Sequence, residues 1–391
     1  MALNGCLAGF ALMFAATCVA SLAAAPFDVA PLFDPAKPDL GLRRAPGAEN
    51  VVVFAPTEKT DKFSNGVVLF PFRGKLYAQW QSSARDEDSV DTWVAYAVSS
   101  DGTHWSKPKV LVPAGRGPAM HSSGGWWSDG KTLVVFINVW PEGFVKADGS
   151  HPGGHTEYMT SRDGVHWSAR KKVTGVDGKP IDGIIEQDPH ALPSGRIVTA
   201  FHLRPGMIVA PFYTGDPLGV SGWARGKMEN LPHEGNVSRE IEPSVFLSGP
   251  CLTMAFRDQA ESFKVLAAQS CDDGATWTTP ELTAMPDARA KLSAGNLPDG
   301  TAFLVNAPSG NKTRIPLAIG LSRDGKIFDR AYLLRGTADL PPLRYPGRYK
   351  RPGYHYPKSV VWNGYLYVGY AANKEDVAVT RVPLSSLIGQ P

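Results

Sequence analysis

Between Met1 and Ala25 the chain has no charged side chain. The run LAGFALMFAATCVASLAAA is apolar and ends in small residues, with Ala23 and Ala25 placed for an A-x-A cleavage site. Residues 1–25 therefore read as a secretory signal peptide, although the usual basic start is missing. Cysteine is scarce: four occur in 391 residues, and only Cys251 and Cys271 remain after cleavage. Two cysteines in an exported, secreted or periplasmic chain are enough for one bridge. Net charge is low, at +3, and the basic residues are scattered apart from Arg344, Arg348, Lys350 and Arg351. That gives no reason to expect nucleic acid as a partner, or a membrane once the leader is gone. No Gly-rich phosphate motif follows a strand and opens a helix, so no nucleotide cofactor is expected. EQDPH at 186–190 gathers Glu186, Asp188 and His190, but no second His/Asp motif at ligand spacing joins it, so no metal is expected either.

What the chain does have is turns. Forty Gly and 33 Pro accompany a hydrophobic content of 43%, the composition of a multi-stranded β protein with a sizeable core. Four turns share one pattern: SSDGTHW at 99–105, SRDGVHW at 161–167, SCDDGATW at 270–277 and SRDGKIF at 322–328. Their Asp-Gly pairs begin at Asp101, Asp163, Asp273 and Asp324, separated by 62, 110 and 51 residues. The doubled middle interval leaves room for a decayed copy, YTGDPLGVSGW at 213–223. In each turn Asp is placed to bond backbone N–H groups, Gly to take a positive φ, and the aromatic to fold under. These are architectural roles.

Each turn follows a strand, and each such strand follows a hairpin. Two more hairpins, PHALPSGRIVTAFHL and SVVWNGYLYVGYA, lack a clear Asp-Gly turn. Six four-stranded units repeated radially describe an all-β, six-bladed β-propeller. The last unit runs out after three strands, and NVVVFAP at 50–56 is a lone strand able to complete it. The expected organisation is a leader at 1–25, a linker at 26–49 and the propeller at 50–391, as a monomer. Counting ten residues out from Glu261, where the second and third strands of the fourth unit meet, reaches Cys251 and Cys271. The two should lie opposite each other, within reach of a disulfide.

The turns resemble the Asp-box, or BNR, repeats of the sialidase (neuraminidase) superfamily, over roughly residues 60–385. Topology places first-strand starts and second-strand ends on one face, away from the boxes. Asn65, His121, Asp188, Glu242 and Tyr356 fall at first-strand starts. His202, Arg257 and the 306–314 loop fall at second-strand ends. The resemblance implies a Glu at a blade start with an Arg at the end of the next strand, matched by Glu242 and Arg257. It implies a further Arg one blade later, matched by Arg314, and a Tyr opening the last blade, matched by Tyr356 with Tyr354 as a rival. Two arginines can grip a carboxylate bidentately. A tyrosine, with a solution pKa of about 10, becomes a nucleophile when a base such as Glu242 takes its proton. It suits an anionic sugar, which would repel a second carboxylate at the anomeric carbon.

Two positions depart from the family. Asn65 stands where a first-blade Arg is expected, and His121 where an acid/base Asp is expected. Asp86, Glu87, Asp88 and Asp91 in the loop RDEDSVD offer substitutes for that Asp. The expected function is an exo-acting glycoside hydrolase that removes a terminal, acidic sugar from a glycan or oligosaccharide. Glu242 and Tyr356 would form the nucleophilic pair, with His121 handling the leaving-group proton. Arg257, Arg314, Asn65, Asp188, His202 and Tyr354 would surround the sugar. Two other functions fit the same residues: a uronate lyase using His121 and Tyr356, and a glycan-binding propeller without catalysis. The Gly-rich loop at 141–155 is expected on the site face as a rim or lid.

Overall fold

The computed structural model describes residues 24–186 and 189–388. Six antiparallel sheets follow one another along the chain and form the six-bladed propeller. Their inner strands are Phe63–Phe72, Met120–Ser128, Gly183–Ile185, Glu240–Ser248, Ser293–Asn296 and Tyr354–Trp362. Second strands are the most apolar: Leu133–Trp140 is buried at every position, as a strand covered on both faces must be. Outer strands such as Lys109–Val112 are less covered, with the first two positions exposed and only Val112 buried.

The core is divided. Six large apolar clusters occur, one between each adjacent pair of blades. Between the first and second blades, for example, Val68 and Tyr77 meet Trp126 and Val135. The ring closes as expected. Glu49–Phe54 becomes the outer strand of the sixth blade, antiparallel to Asp376–Pro383, with Val51 opposite Val379. The segment taken as a linker is not free. Phe27 packs on Phe246 and Phe328, Asp28–Val29 pairs in parallel with Ile327–Phe328, and Arg44 reaches Asp339 at 2.7 Å.

Each Asp-box bolts its blade to the one before. In the second blade, Asp163 accepts the N–H groups of Val165 and His166 at 2.9 and 2.8 Å, while Ser161 accepts that of Gly164 at 2.8 Å. A Cβ on Gly164 would lie 2.1 Å from the Tyr77 Oη of the first blade. Gly102 meets Tyr367 of the sixth blade in the same way, Gly274 meets Val198 of the third, and Gly325 meets Ser248 of the fourth. The copy at 213–223 keeps the scheme in altered form: Asp216 accepts the N–H groups of Leu218 and Val220. One detail differs from the sequence reading. In SCDDGATW the accepting carboxylate is Asp272, which takes the Thr276 N–H at 2.8 Å, and Asp273 is the inserted residue, at φ 56°.

Cys251 and Cys271 are joined by a disulfide, with Cα atoms 4.2 Å apart. The register explains it: Leu252 pairs with Ser270, and the cysteines come one step further on. Reduction should lower the unfolding temperature by the equivalent of roughly 2–4 kcal/mol without altering ligand binding at low temperature. An unchanged melting curve would show the bridge to be idle.

The bolt can be tested at one atom. Gly164→Ala puts a methyl into the Tyr77 ring at φ 73°, whereas Gly130→Ala meets open space at φ 86°. The first should cost roughly 2–4 kcal/mol and the second about 1–2 kcal/mol, read as denaturant midpoints. Equal losses would mean that the box glycine serves only its own backbone.

Candidate functional site

A cavity of about 1320 Å³ opens among the first-strand starts and second-strand ends. None of the Asp-box carboxylates lines it. The sequence makes its two central residues through a repeated local distortion. In the inner strands of the fourth and sixth blades the register slips, between Ile241 and Ser244 and between His355 and Lys358. At each slip one residue takes a left-handed backbone, Glu242 at φ 52° and Tyr356 at φ 54°. A bulge re-aims a side chain that regular alternation would leave in the sheet. The first blade has the same slip, between Asn65 and Val68, where Gly66 adopts φ 64°. Left-handed conformations of non-glycine residues are costly and gather at functional sites.

Glu242 and Tyr356 both line the cavity. Burial alone would raise the Glu242 carboxyl, but Arg257 and Lys291 outweigh it and hold the group below its ordinary value. Arg257 donates to Glu242 Oε2 at 2.9 Å. The Glu242 N–H donates to His202 Nε2 at 3.1 Å, so the neutral His202 carries its proton on Nδ1. Burial pushes His202 down to about 4. Tyr356 lies amid cations: Arg314 at 5.3 Å, Lys291 at 5.4 Å and Lys374 at 5.9 Å from its ring centre. Its phenol is nonetheless pushed well above the ordinary tyrosine range, first by burial and then by Glu242 and Glu87. Arg314 is almost wholly buried. It donates to His355 Nδ1 at 2.9 Å, and His355 in turn donates from Nε2 to the Arg351 carbonyl at 3.0 Å.

The first-blade side of the cavity is built differently from expectation. Asn65 does not reach the cavity; it is buried and donates to Glu87 Oε1 at 3.0 Å. Glu87 forms an ion pair with Lys374, which enters from the last hairpin of the sixth blade. A cation thus stands beside Tyr356, delivered by a different element from the one expected to carry an arginine. Burial pushes Lys374 down to about 8, with Glu87 acting against it. Next to Glu87, Asp88 lines the cavity at φ 59°. Burial and the Glu87 charge push its carboxyl up to about 7.

His121 faces the other way. Its neighbours Met120 and Ser122 line the cavity, but His121 donates from Nδ1 to the Pro113 carbonyl at 2.7 Å and accepts from Arg170 on Nε2 at 3.0 Å. Both nitrogens are engaged, so the geometry gives it no proton to deliver. Tyr354 is also placed elsewhere: it is buried, and its hydroxyl donates to the Gly336 carbonyl at 2.8 Å. Asp188 lies outside the described residues. Glu186 pairs with Lys291 at 2.6 Å. Among the described residues no group of three His, Cys, Asp or Glu side chains could hold a metal ion. The 141–155 loop does form part of the rim, through Phe144, Val145 and His151. Phe144 packs at 4.9 Å on Trp140, and both belong to a small apolar wall with Met120 and Met207.

Sequence reading passed over Arg289, Lys291 and Lys374, and left Asp88 as one acid among four. Lys291 had a legible signal, since it immediately precedes Leu292 and the first strand of the fifth blade. Lys374 had none, because it lies in a turn between two strands of the closing blade.

The fold is a radial all-β propeller, and its axial cavity is lined by more cationic side chains than carboxylates. The chain matches the BNR repeat-like domain over residues 74–368 and belongs to that family. No curated protein matches it. Among solved structures, a sialidase aligns at 18% identity and a TM-score of 0.64, over 92% of this chain and 35% of its own. The chain thus spans about a third of that protein's length. The intramolecular trans-sialidase from Ruminococcus gnavus, in complex with oseltamivir carboxylate, aligns at 14% identity and a TM-score of 0.64, over 87% of this chain and 98% of its own. A protein of unknown function from Dyadobacter fermentans aligns at 15% and 0.64, over 86% and 99%. At these identities the likeness is one of fold.

The Asp88 environment has a measurable signature. Its folded pKa is raised, so its contribution to stability is present below the unfolded carboxylate value and fades as pH rises through about 7. Wild type should therefore lose stability relative to Asp88→Asn between pH 4 and 8, by chemical denaturation. A difference independent of pH would mean that Asp88 is ionised throughout.

Proposed function

We propose that the chain is an exo-acting glycosidase that removes a terminal acidic sugar from a glycan, in the manner of a sialidase. One observation carries the reading: Glu242 and Tyr356 are turned by bulges into a single cavity walled by Arg257, Lys291, Arg314 and Lys374. Glu242 takes the phenolic proton, and the Tyr356 oxygen attacks the anomeric carbon as the bond to the leaving sugar breaks. Asp88, protonated near neutrality, gives its proton to the departing oxygen. Water then attacks the glycosyl-tyrosine. Asp88 takes the water's proton, and the phenolate recovers its own from Glu242. A pKa near the working pH suits a group that must both give and take a proton.

Arg314 and Lys374 supply charge for the substrate's carboxylate, while Arg257 is shared with Glu242. A tyrosine serves here because a carboxylate nucleophile would repel an anionic sugar. The Ruminococcus gnavus trans-sialidase, in complex with oseltamivir carboxylate, and a leech intramolecular trans-sialidase of similar fold, in complex with 2,7-anhydro-Neu5Ac, support sialic acid as the first sugar to test. The uronate-lyase reading needed His121 as its base, and that residue faces away from the cavity. The apolar leader and the disulfide support an exported, oxidising site of action.

The test is to incubate the purified protein with sialylated, uronic-acid-bearing and rhamnose-bearing glycans and identify what is released. Tyr356→Phe should remove turnover, by about 10³-fold or more. Arg314→Lys should raise KM for the acidic substrate well above its effect on the neutral ester. Binding without release by the unaltered protein would leave a glycan-binding propeller. Equal losses on acid and ester would give Arg314 a structural role.

A further inference from the structure

We propose that the cavity rim beside Asp88 is a second sugar subsite, in which Tyr349 offers its ring to the residue that follows the terminal acidic sugar. This rests on the glycosidase reading above, because it uses the position of the leaving group.

The rim is formed by a strap, residues 344–351, between the fifth and sixth blades. Both its ends are pinned. Arg344 pairs with Glu375 at 3.3 Å and with Asp376, and the Tyr345 N–H donates to Glu375 at 2.7 Å. Lys350 holds Glu375 at 3.1 Å and donates to the Lys62 carbonyl at 2.9 Å. The strap is also bonded to the loop that carries Asp88. The Arg348 N–H donates to Asp86 at 2.8 Å, the Glu87 N–H to the Arg348 carbonyl at 3.3 Å, and Arg85 to the Pro346 carbonyl at 2.8 Å. At Gly347 the two backbones are so close that a Cβ would lie 2.7 Å from Asp86 Oδ1. Strap and acid loop are one body.

On the crest of this body Tyr349 has φ 58° and is 54% exposed, with the Arg348 guanidinium 4.8 Å from its ring centre. Eight large apolar or aromatic side chains are exposed among the described residues, and Tyr349 alone of these lines the cavity. It contributes nothing to a core cluster. A strained backbone that displays a ring at a cavity mouth, on a strap otherwise tied down, is the form of a ligand contact.

The chemistry fixes which part of the ligand meets it. A general acid must reach the glycosidic oxygen, so the leaving sugar has to lie over the Asp88 loop and against the strap. A pyranose presents C–H bonds on one face and hydroxyls around its edge. The tyrosine ring suits the first, and Arg351, a donor only that lines the cavity, suits the second. The preferred substrate is therefore an acidic sugar linked to a further pyranose, over the same sugar carrying a simple cap.

The experiment compares the parent with Tyr349→Ala and Tyr349→Phe on two substrates with the same terminal sugar: a sialylated lactose and the methyl glycoside. Kinetics and equilibrium binding are both read. Tyr349→Ala should weaken binding and kcat/KM about 5- to 20-fold for the lactose-linked substrate, with less than about a twofold change for the methyl glycoside. Tyr349→Phe should retain the parent values. Equal effects on the two substrates, or none, would overturn the subsite. If the parent turns over neither substrate, the glycosidase reading fails separately. The binding comparison then still decides whether Tyr349 contacts a second sugar, and no binding of either ligand overturns the subsite as well.

Discussion

Everything at the axis depends on one set of backbone hydrogen bonds, those between Glu49–Phe54 and Asp376–Pro383. Blades pack face to face through separate apolar clusters, so a row of them has two unsatisfied ends until the ring closes. The closing strand is short, and its exposed Val52 contributes little by burial. Its value is geometric: it completes the sheet of the sixth blade, whose inner strand carries Tyr356, beside the first blade, whose loop carries Glu87 and Asp88. The Lys374 carbonyl accepts the Ser64 N–H across this same seam at 3.0 Å. The seam that holds the ring together therefore also forms one wall of the site.

The cavity concentrates charge at a cost that is met locally. Isolated buried charges are expensive, and pairing offsets the expense only when the geometry is good. Here the pairs are Glu242 with Arg257, Glu186 with Lys291 and Glu87 with Lys374. Among the described residues Arg314 is paired only with a neutral imidazole and a backbone carbonyl. An arginine without a carboxylate partner, beside a tyrosine, leaves the field of the cavity positive where an anionic group would enter. The crowding has opposite consequences for the two acids. Glu242 faces cations and stays ionised, whereas Asp88 sits beside Glu87 and holds its proton.

The propeller was legible because its signal is local and repeated. A Ser-x-Asp-Gly turn fixes its own hydrogen bonds, so its sequence survives in several blades. The cysteines were legible because antiparallel register is a matter of counting. Glu242, Arg257 and Tyr356 line the cavity because they lie near strand ends, which topology sends to one face, and Arg314 reaches it from the loop between Asn306 and Leu317. The misplacements of Asn65, His121 and Tyr354 share a cause. Along a strand the side chains alternate, so a strand start says which end of the blade a residue occupies and not which way it points. His121 lost to Met120 and Ser122 by one position. Bulges then shift the parity again, and nothing in Tyr354-His355-Tyr356 says which tyrosine the slip will favour. Loops escaped this reasoning altogether: Lys374 and the choice of Asp88 over Asp86 depend on a chain reversal with no period.

The closing strand also sets an order of events. Residues 49–54 emerge early in synthesis, yet their partner strand ends at Pro383. Until that late segment arrives, five blades can stack but the first exposes the apolar flank that should meet the sixth, with Val67, Leu69 and Trp80 uncovered. The longest-range contact in the molecule is thus formed last, and such contacts are slow because their loop entropy is lost before they stabilise anything. The interval between making the fifth blade and docking the sixth is when this chain is most exposed to mispairing with another copy of itself. It is also an interval without Tyr356, which arrives on the same final blade that makes the ring whole.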